Sequence, residues 1–193
     1  MQDGLSKVGS LLVALGAPLV GQCANTLSPL GPASVTNIRA FANLPSGLVA
    51  GLAANPMGIA LWDGVTWTAF NGGIVGTVNA LHVLPNGDLV AGGNFVMAGG
   101  AVTPNAARWD GTSWSSFGTG PSPVYALASL PNGAVVAGGY QGVRYWTGST
   151  WQLLGGIASP DPSNGAVWAL TTLPNGDIVA GGSFQLIGAP PPY

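Results

Sequence analysis

Residues 167–182 read VWALTTLPNGDIVAGG, and nearly the same stretch stands at 78–93 (VNALHVLPNGDLVAGG) and 124–139 (VYALASLPNGAVVAGG). A fourth copy, IRAFANLPSGLVAG, occupies 38–51 and is one residue shorter at the turn. The prolines of the four copies lie 40, 46 and 43 residues apart. A period of this length is typical of repeat arrays and propellers. The repeat therefore decides how the rest of the sequence is interpreted.

Each unit predicts four short strands. The alternation in V-x-A-L-x-x-L predicts the first strand, and the apolar run ending in Gly-Gly predicts the second. L-P-N-G predicts a tight turn between them, because Asn and Gly accept the positive φ that hairpin turns require. The third and fourth strands are predicted by two tryptophans five residues apart, found at 62 and 67, 109 and 114, and 146 and 151. We interpret these tryptophans as packing residues, with contact to a sugar as the alternative.

Four strands in about 40–45 residues are typical of a β-propeller blade. We therefore expect an all-β propeller of four-stranded antiparallel blades. The blades are placed approximately at 38–73, 78–120, 124–156 and 167–193. That makes about three complete blades and a partial one, as in a piece of a larger ring.

The same residues resemble the kelch-type propeller repeat. In that family a Gly-Gly pair ends the second strand, an aromatic residue precedes a turn, and a Trp follows the turn. The second and third units match this order, whereas Leu52 replaces the second glycine in the first unit. Residues 107–111 (ARWDG) are also similar to secreted bacterial repeats of the delta-60 type. The resemblance covers about 25–193. It implies a propeller and leaves the function open, because such folds serve as lectins, oxidases and binding platforms.

The N-terminus predicts export. Residues 8–20 carry no charge and are too few to span a bilayer as a helix, but their length suits the apolar part of a secretory signal. We expect a signal at 1–23, a partial propeller at 24–193, and a secreted or cell-surface location, with the periplasm as a further option. Cys23 stands where a lipoprotein acceptor would lie, although Gln22 departs from that pattern. A misplaced start or a buried apolar segment is the alternative.

The strand count leaves one blade incomplete. Residues 25–31 resemble a fourth strand, which would complete the last blade in a closed ring, but that blade still lacks its third strand. We expect the sequence to be a piece of a longer chain. Self-association that covers the open edges is the alternative.

Comparison of the units indicates a candidate binding face. The turns within L-P-N-G and between the tryptophans keep nearly constant lengths, whereas the loops between strands two and three and between blades vary. Variable loops on a rigid scaffold commonly carry binding. Near them, one position of the first strand holds a different residue in each unit. The predicted ligand-binding residues are these four: Arg39, Asn79, Tyr125 and Trp168. The alternative is that a half-exposed position accepts any side chain.

Composition excludes several kinds of function. A net charge of −2 with four basic residues cannot supply a surface for nucleic acid. One Cys and one His exclude a zinc cluster and a disulfide framework, and we expect no metal or cofactor.

Catalytic groups are also scarce. Four aspartates lie in the constant turns, where Asp is ordinary, and only Asp161 lies in a variable loop. We interpret His82 as a packed or hydrogen-bonded histidine. No catalytic residue is therefore assigned.

These observations favour a noncatalytic scaffold that binds a protein or a glycan, with no membrane span in the mature chain. One alternative is a noncatalytic piece of a larger extracellular propeller enzyme, carbohydrate-active or oxidase-like, whose catalytic residues lie elsewhere. A purely structural spacer is the other.

Overall fold

The computed structural model describes residues 35, 37–53, 57–121, 123–140, 142–154, 157–158, 165–183 and 185–186. These residues form 17 strands and, among themselves, no helix. The chain is a β-propeller whose blades are antiparallel sheets. The predicted signal, the strand proposed at 25–31, Cys23 and Asp161 lie outside the described residues.

Three sheets contain the four strands of a blade in the order in which they follow in the chain. The first consists of β1 (Ile38–Leu44), β2 (Gly47–Leu52), β3 (Ile59–Trp62) and β4 (Trp67–Ala69). The second consists of β5 (Ile74–Val83), β6 (Leu89–Ala98), β8 (Ala106–Trp109) and β9 (Trp114–Ser116), with β7 (Ala101–Val102) paired to β6. The third consists of β10 (Val124–Ser129), β11 (Val135–Gly139), β12 (Gly142–Trp146) and β13 (Trp151–Leu153).

The fourth blade is described as a hairpin of its first two strands. These are β15 (Ala166–Thr172) and β16 (Ile178–Ser183). A second pair joins β14 (Ile157–Ala158) to β17 (Gln185–Leu186). The described sheets do not close into a ring, as the sequence predicts.

The predicted turns are confirmed. In the second blade the amide of Leu84 donates to the carbonyl of Asp88 at 2.8 Å, and that of Gly87 donates to Leu84 at 2.9 Å. Gly87 has φ of 91°, which explains the glycine of L-P-N-G. The third and fourth blades repeat both hydrogen bonds. These turns set the register of the hairpin from which each candidate side chain projects.

The tryptophan pairs of the second and third blades pack against the preceding blade, in agreement with their predicted role as packing residues. Phe117 follows the last strand of the second blade and meets both tryptophans of the third blade edge-on or tilted. Its ring lies 5.5 Å from that of Trp146 and 5.8 Å from that of Trp151. The indole N–H of Trp151 donates to the carbonyl of Phe117 at 2.9 Å. Phe70 of the first blade makes the same edge contacts with Trp109 and Trp114 of the second blade, so the contact is repeated at both of these blade interfaces.

A second repeated contact explains the glycine near the end of the V-A-G stretch in the first three blades. A Cβ on Gly92 would lie 2.5 Å from Cγ1 of Val124 in the next blade. A Cβ on Gly51 would lie 2.7 Å from Cγ1 of Val78, and a Cβ on Gly138 would lie 2.6 Å from Cγ1 of Val167. Real Cβ atoms do not come so close, so only glycine lets the inner strands of adjacent blades meet at this distance.

The second blade differs from the prediction in one respect. Its long segment between strands two and three was expected to be a loop, but β6 continues through it and pairs with an extension of β5 and with β7. Phe95 is buried in this extension and anchors it to the core shared with the first blade. Phe95 and Ala98 favour a strand over a loop, because both gain from burial against the neighbouring blade.

Candidate functional site

The four predicted ligand-binding residues share a structural feature that the sequence does not reveal. The pairing of β5 with β6 joins Val78 to Gly93 and Ala80 to Gly92, so Asn79 is left without a partner. The same shift leaves Arg39, Tyr125 and Trp168 unpaired in β1, β10 and β15. Each candidate is therefore the extra residue of a β-bulge in the innermost strand of its blade. Bulges re-aim side chains and are frequent beside functional sites.

The first two candidates are joined by hydrogen bonds. Nη1 of Arg39 donates to Oδ1 of Asn79 at 3.1 Å, across the boundary between the first and second blades. Nδ2 of Asn79 donates to the carbonyl of Val124 in the third blade at 2.9 Å. Both polar ends of Asn79 are used, so its amide is held in one orientation. Asn79 thereby fixes the position of the exposed guanidinium.

The other two candidates stack. The rings of Tyr125 and Trp168 lie 4.4 Å apart with an interplanar angle of 39°. Tyr140 meets the edge of Tyr125 at 5.3 Å and lies 6.5 Å from Trp168. Trp168 remains 52% exposed, so one face of this cluster is open to solvent. Aromatic pairs of this geometry add stability beyond the area they bury.

The two halves are electrostatically connected through Tyr125. Burial and the neighbouring Tyr140 together raise the pKa of Tyr125 to about 12, while the charge of Arg39 acts in the opposite direction. Tyr125 therefore stays a neutral hydroxyl at any physiological pH. The structure joins the four candidates in two pairs, and Asn79 links the pairs through the backbone carbonyl of Val124, the residue before Tyr125. We call Arg39, Asn79, Tyr125, Trp168 and the neighbouring Tyr140 the bulge row.

Tyr140 was missed by the sequence analysis. It follows the Gly-Gly pair of the third blade, in the short connection between β11 and β12. Its signal was available, because the corresponding residues of the other blades are Ala53, Asn94 and Ser183, which do not repeat either. Tyr140 comes from one of the variable loops, so the bulge row lies next to these loops, as expected.

A groove at the constant turns is a second candidate. It has a volume of about 360 Å³ and is lined by the L-P-N-G turns of the second and third blades together with Arg108. The Nε atom of Arg108 donates to Oδ2 of Asp88 at 2.6 Å, and the same carboxylate accepts from Asn86 at 2.7 Å. The charge of Arg108 is thus compensated within the fold. The groove combines repeating turn residues with a neutralised ion pair, and this favours a structural role.

Titratable groups elsewhere are engaged in turns and packing. Backbone N–H groups of the following residues donate to Asp63 and Asp110 and hold the pKa of both carboxyls below its usual value. His82 is half-buried, its Nε2 lies 3.0 Å from Oγ of Ser129, and burial lowers its pKa. The interpretation of His82 as a hydrogen-bonded packing residue is confirmed.

No constellation of catalytic or metal-binding groups stands out in the described part of the chain. Within it, no three His, Cys, Asp or Glu side chains come together as metal ligands would. The described strands are also unaccompanied by any helix that is long and apolar enough to cross a membrane.

Comparison with solved structures supports the fold. The chain is similar to the WD40 β-propeller domain of Doa1, with 23% identity and a TM-score of 0.55 over 78% of this chain and 49% of that one. It is also similar to PorZ, a surface component of the type-IX secretion system of Porphyromonas gingivalis, with 18% identity and a TM-score of 0.54 over 86% of this chain. A protein assigned as a gluconolactonase matches with 14% identity and a TM-score of 0.51 over 73% of this chain.

The chain spans only part of these proteins: 49% of the Doa1 domain, 27% of PorZ and 60% of the gluconolactonase chain. At such identities the likeness shows the fold alone. No protein-family model matches the sequence, and no curated protein matches it.

Proposed function

We propose that this chain is a noncatalytic binding scaffold, secreted or displayed at the cell surface, that holds its ligand at the bulge row. One observation carries the proposal. Four side chains that do not repeat, placed at one repeating position, are turned by bulges into a single row of contacts. A scaffold that needs only packing has no use for such a departure from its own repeat.

The neighbouring positions support this argument. The residue after each bulge is alanine in all four blades, at 40, 80, 126 and 169, and the residue before it is Ile or Val. Packing therefore specifies the positions on either side. The bulge position instead carries Arg, Asn, Tyr and Trp, which are residue types that recognise ligands. Its half-exposed aromatic side chains favour binding over a merely tolerated surface position.

Location and family are also part of the proposal. Residues 1–23 act as a secretory signal, and 24–193 form the partial propeller with its blades at 38–73, 78–120, 124–156 and 167–193. The repeat belongs to the kelch or delta-60 type. The similarity to PorZ, a bacterial surface component, agrees with export. N-terminal sequencing of the exported protein tests the signal.

An enzyme is the second candidate, because one similar structure is assigned as a gluconolactonase. In this alternative, the described blades support a catalytic site formed by other parts of a longer chain. Among the described residues, the aspartates lie in turns or pair with Arg108, which favours the scaffold. The enzyme is favoured if the full-length product has lactonase activity and if substitutions in the bulge row leave that activity intact.

A glycan and peptide array probed with the fluorescently labelled protein tests the function. We expect a restricted set of bound ligands, and loss of that set in the double variant Tyr125→Ala/Trp168→Ala. Val102→Ala is the control, because Val102 is 76% exposed and lies outside the row. Binding that the double variant retains in full would remove the bulge row as the site. An array with no bound ligand for the folded protein argues for a structural spacer.

A further inference from the structure

Arg39 has no acidic partner in the described structure. The only ion pair there within 4.0 Å joins Arg108 to Asp88. Arg39 gives one donor to the neutral oxygen of Asn79 and remains exposed. A guanidinium has five N–H donors in a planar fork that matches a carboxylate. Most of its donors therefore remain available to a ligand.

The far end of the bulge row offers a different chemistry. Trp168 is 52% exposed and is supported from behind by Tyr125. The face of an aromatic ring is negative, so it attracts the partly positive C–H groups of an apolar ligand face. A rigid aromatic platform also costs little conformational entropy on binding, because such side chains have only two rotatable bonds.

Between the two ends the row is neutral and already ordered. Asn79 is held by hydrogen bonds at both ends of its amide, and Tyr125 keeps its proton at physiological pH. The row therefore presents a cation, a polar centre and an aromatic platform in sequence. A ligand that fits needs an anion for Arg39 and a ring with a C–H face for Trp168.

We infer that the bulge row binds an acidic saccharide, whose carboxylate pairs with Arg39 and whose sugar ring stacks on Trp168. This inference rests on the proposed binding function of the same row. An oligosaccharide of uronic acids carries a carboxylate and a ring in every residue along the chain, whereas an acidic peptide needs two kinds of side chain to supply them. The charged hydrogen bonds supply the preference for acid, and the stacking supplies affinity for the ring.

Isothermal titration with oligogalacturonate and with its neutral methyl ester tests the inference. We expect the acid to bind about ten- to a hundredfold more tightly than the ester, the range for hydrogen bonds to a charged group. Arg39→Gln should abolish this difference, and Arg39→Lys should retain only part of it. Trp168→Ala should weaken both ligands by a similar factor. Thermal unfolding of each variant checks that it folds.

Three results would overturn the inference. In the first, the acid and the ester bind with equal affinity, and Trp168→Ala loses both. This result removes only the preference for acid and leaves the proposed binding function intact. Tighter binding of a Glu-rich peptide than of oligogalacturonate, abolished in Arg39→Gln, assigns the row to a peptide. Failure of every saccharide and peptide to bind the folded protein removes both the inference and the proposed function.

Discussion

The first two strands have almost the same sequence in the second and fourth blades. In the second blade they are covered on one face by the following blade, whereas in the described fourth blade that face is exposed. The stretch LPNGDLVAGG at 84–93 becomes LPNGDIVAGG at 173–182. Val90 is fully buried against the third blade, whereas Val179, at the same position of the fourth blade, is 46% exposed. Gly92 faces Val124 of its neighbour, but a Cβ on Gly181 would meet only Ala169 of its own hairpin, at 3.7 Å.

This difference shows what the repeat encodes. The valine and the first glycine contribute little to their own hairpin and much to the fit of the following blade. Phe41, on the first blade, is 40% exposed, while Leu127 at the same repeat position packs in the interface between the second and third blades. In the described structure, the first blade therefore has one exposed face, which carries Phe41. The fourth blade has the opposite face exposed, which carries Val179. Paired substitutions in covered and uncovered copies test this account.

The largest contrast is expected between two phenylalanines. Phe117→Ala leaves a cavity beside Trp146 and Trp151 and should lower the free energy of unfolding by about 3–5 kcal/mol. Phe41→Ala removes a side chain that is already 40% exposed, and its cost should be much smaller. Urea unfolding of both variants measures the difference. Equal losses would show that the described interfaces do not carry the stability.

A smaller contrast is expected between two glycines. Gly92→Ala places a Cβ 2.5 Å from Val124 and forces the second and third blades apart, which should cost about 1–3 kcal/mol. Gly181→Ala meets nothing closer than 3.7 Å and should leave stability nearly unchanged. Thermal unfolding measures both. A tolerated Gly92→Ala would contradict the close approach of the inner strands.

Two aspartates of the constant turns provide the next test. Asp88 and Asp177 accept the same bond from the asparagine of their turns, at 2.7 Å in both cases, but only Asp88 is paired with an arginine. Asp88→Asn should therefore cost about 1 kcal/mol, and Asp177→Asn less. Repeating the denaturation in high salt should reduce the gap, because Arg108 is partly exposed. A larger loss for Asp177→Asn argues against the assigned pair.

The smallest effect concerns pH. Hydrogen bonds from backbone N–H groups hold the pKa of the Asp63 and Asp110 carboxyls below its usual value in the folded state. The two carboxylates contribute fully to the free energy of unfolding when the pH is above their pKa in the unfolded chain. This contribution is lost as the pH falls through their lower pKa values in the folded state. Thr147 forms the corresponding turn of the third blade without a carboxylate. Asp63→Thr/Asp110→Thr should thus reduce the loss of melting temperature on acidification below the ordinary aspartate pKa of about 4. An unchanged profile would assign the loss to other groups.

Much of the fold was predictable because the repeat fixes it through local chemistry. Glycine at positive φ marks the turns, alternation marks the strands, and the tryptophan pairs mark the third and fourth strands. The position of the candidate site was also predictable, because a varying residue among repeating neighbours is visible in one chain.

The rest depends on contacts between blades. The bulges follow from a shift in the pairing of the first strand of each blade with β2, β6, β11 or β16, and the sequence of one strand does not show such a shift. Tyr140 joins the row through its ring contacts with another blade and with its own. The extension of β6 forms because Phe95 is buried against the first blade.

The central claim is that bulges in separate blades build one binding row. Nuclear Overhauser spectroscopy on protein with labelled Tyr and Trp, in the presence of oligogalacturonate, tests it most directly. The ring distance of 4.4 Å between Tyr125 and Trp168 predicts strong cross-peaks between their protons, together with cross-peaks from sugar C–H protons to Trp168. Absence of the Tyr125–Trp168 cross-peaks in the folded protein would contradict the row itself.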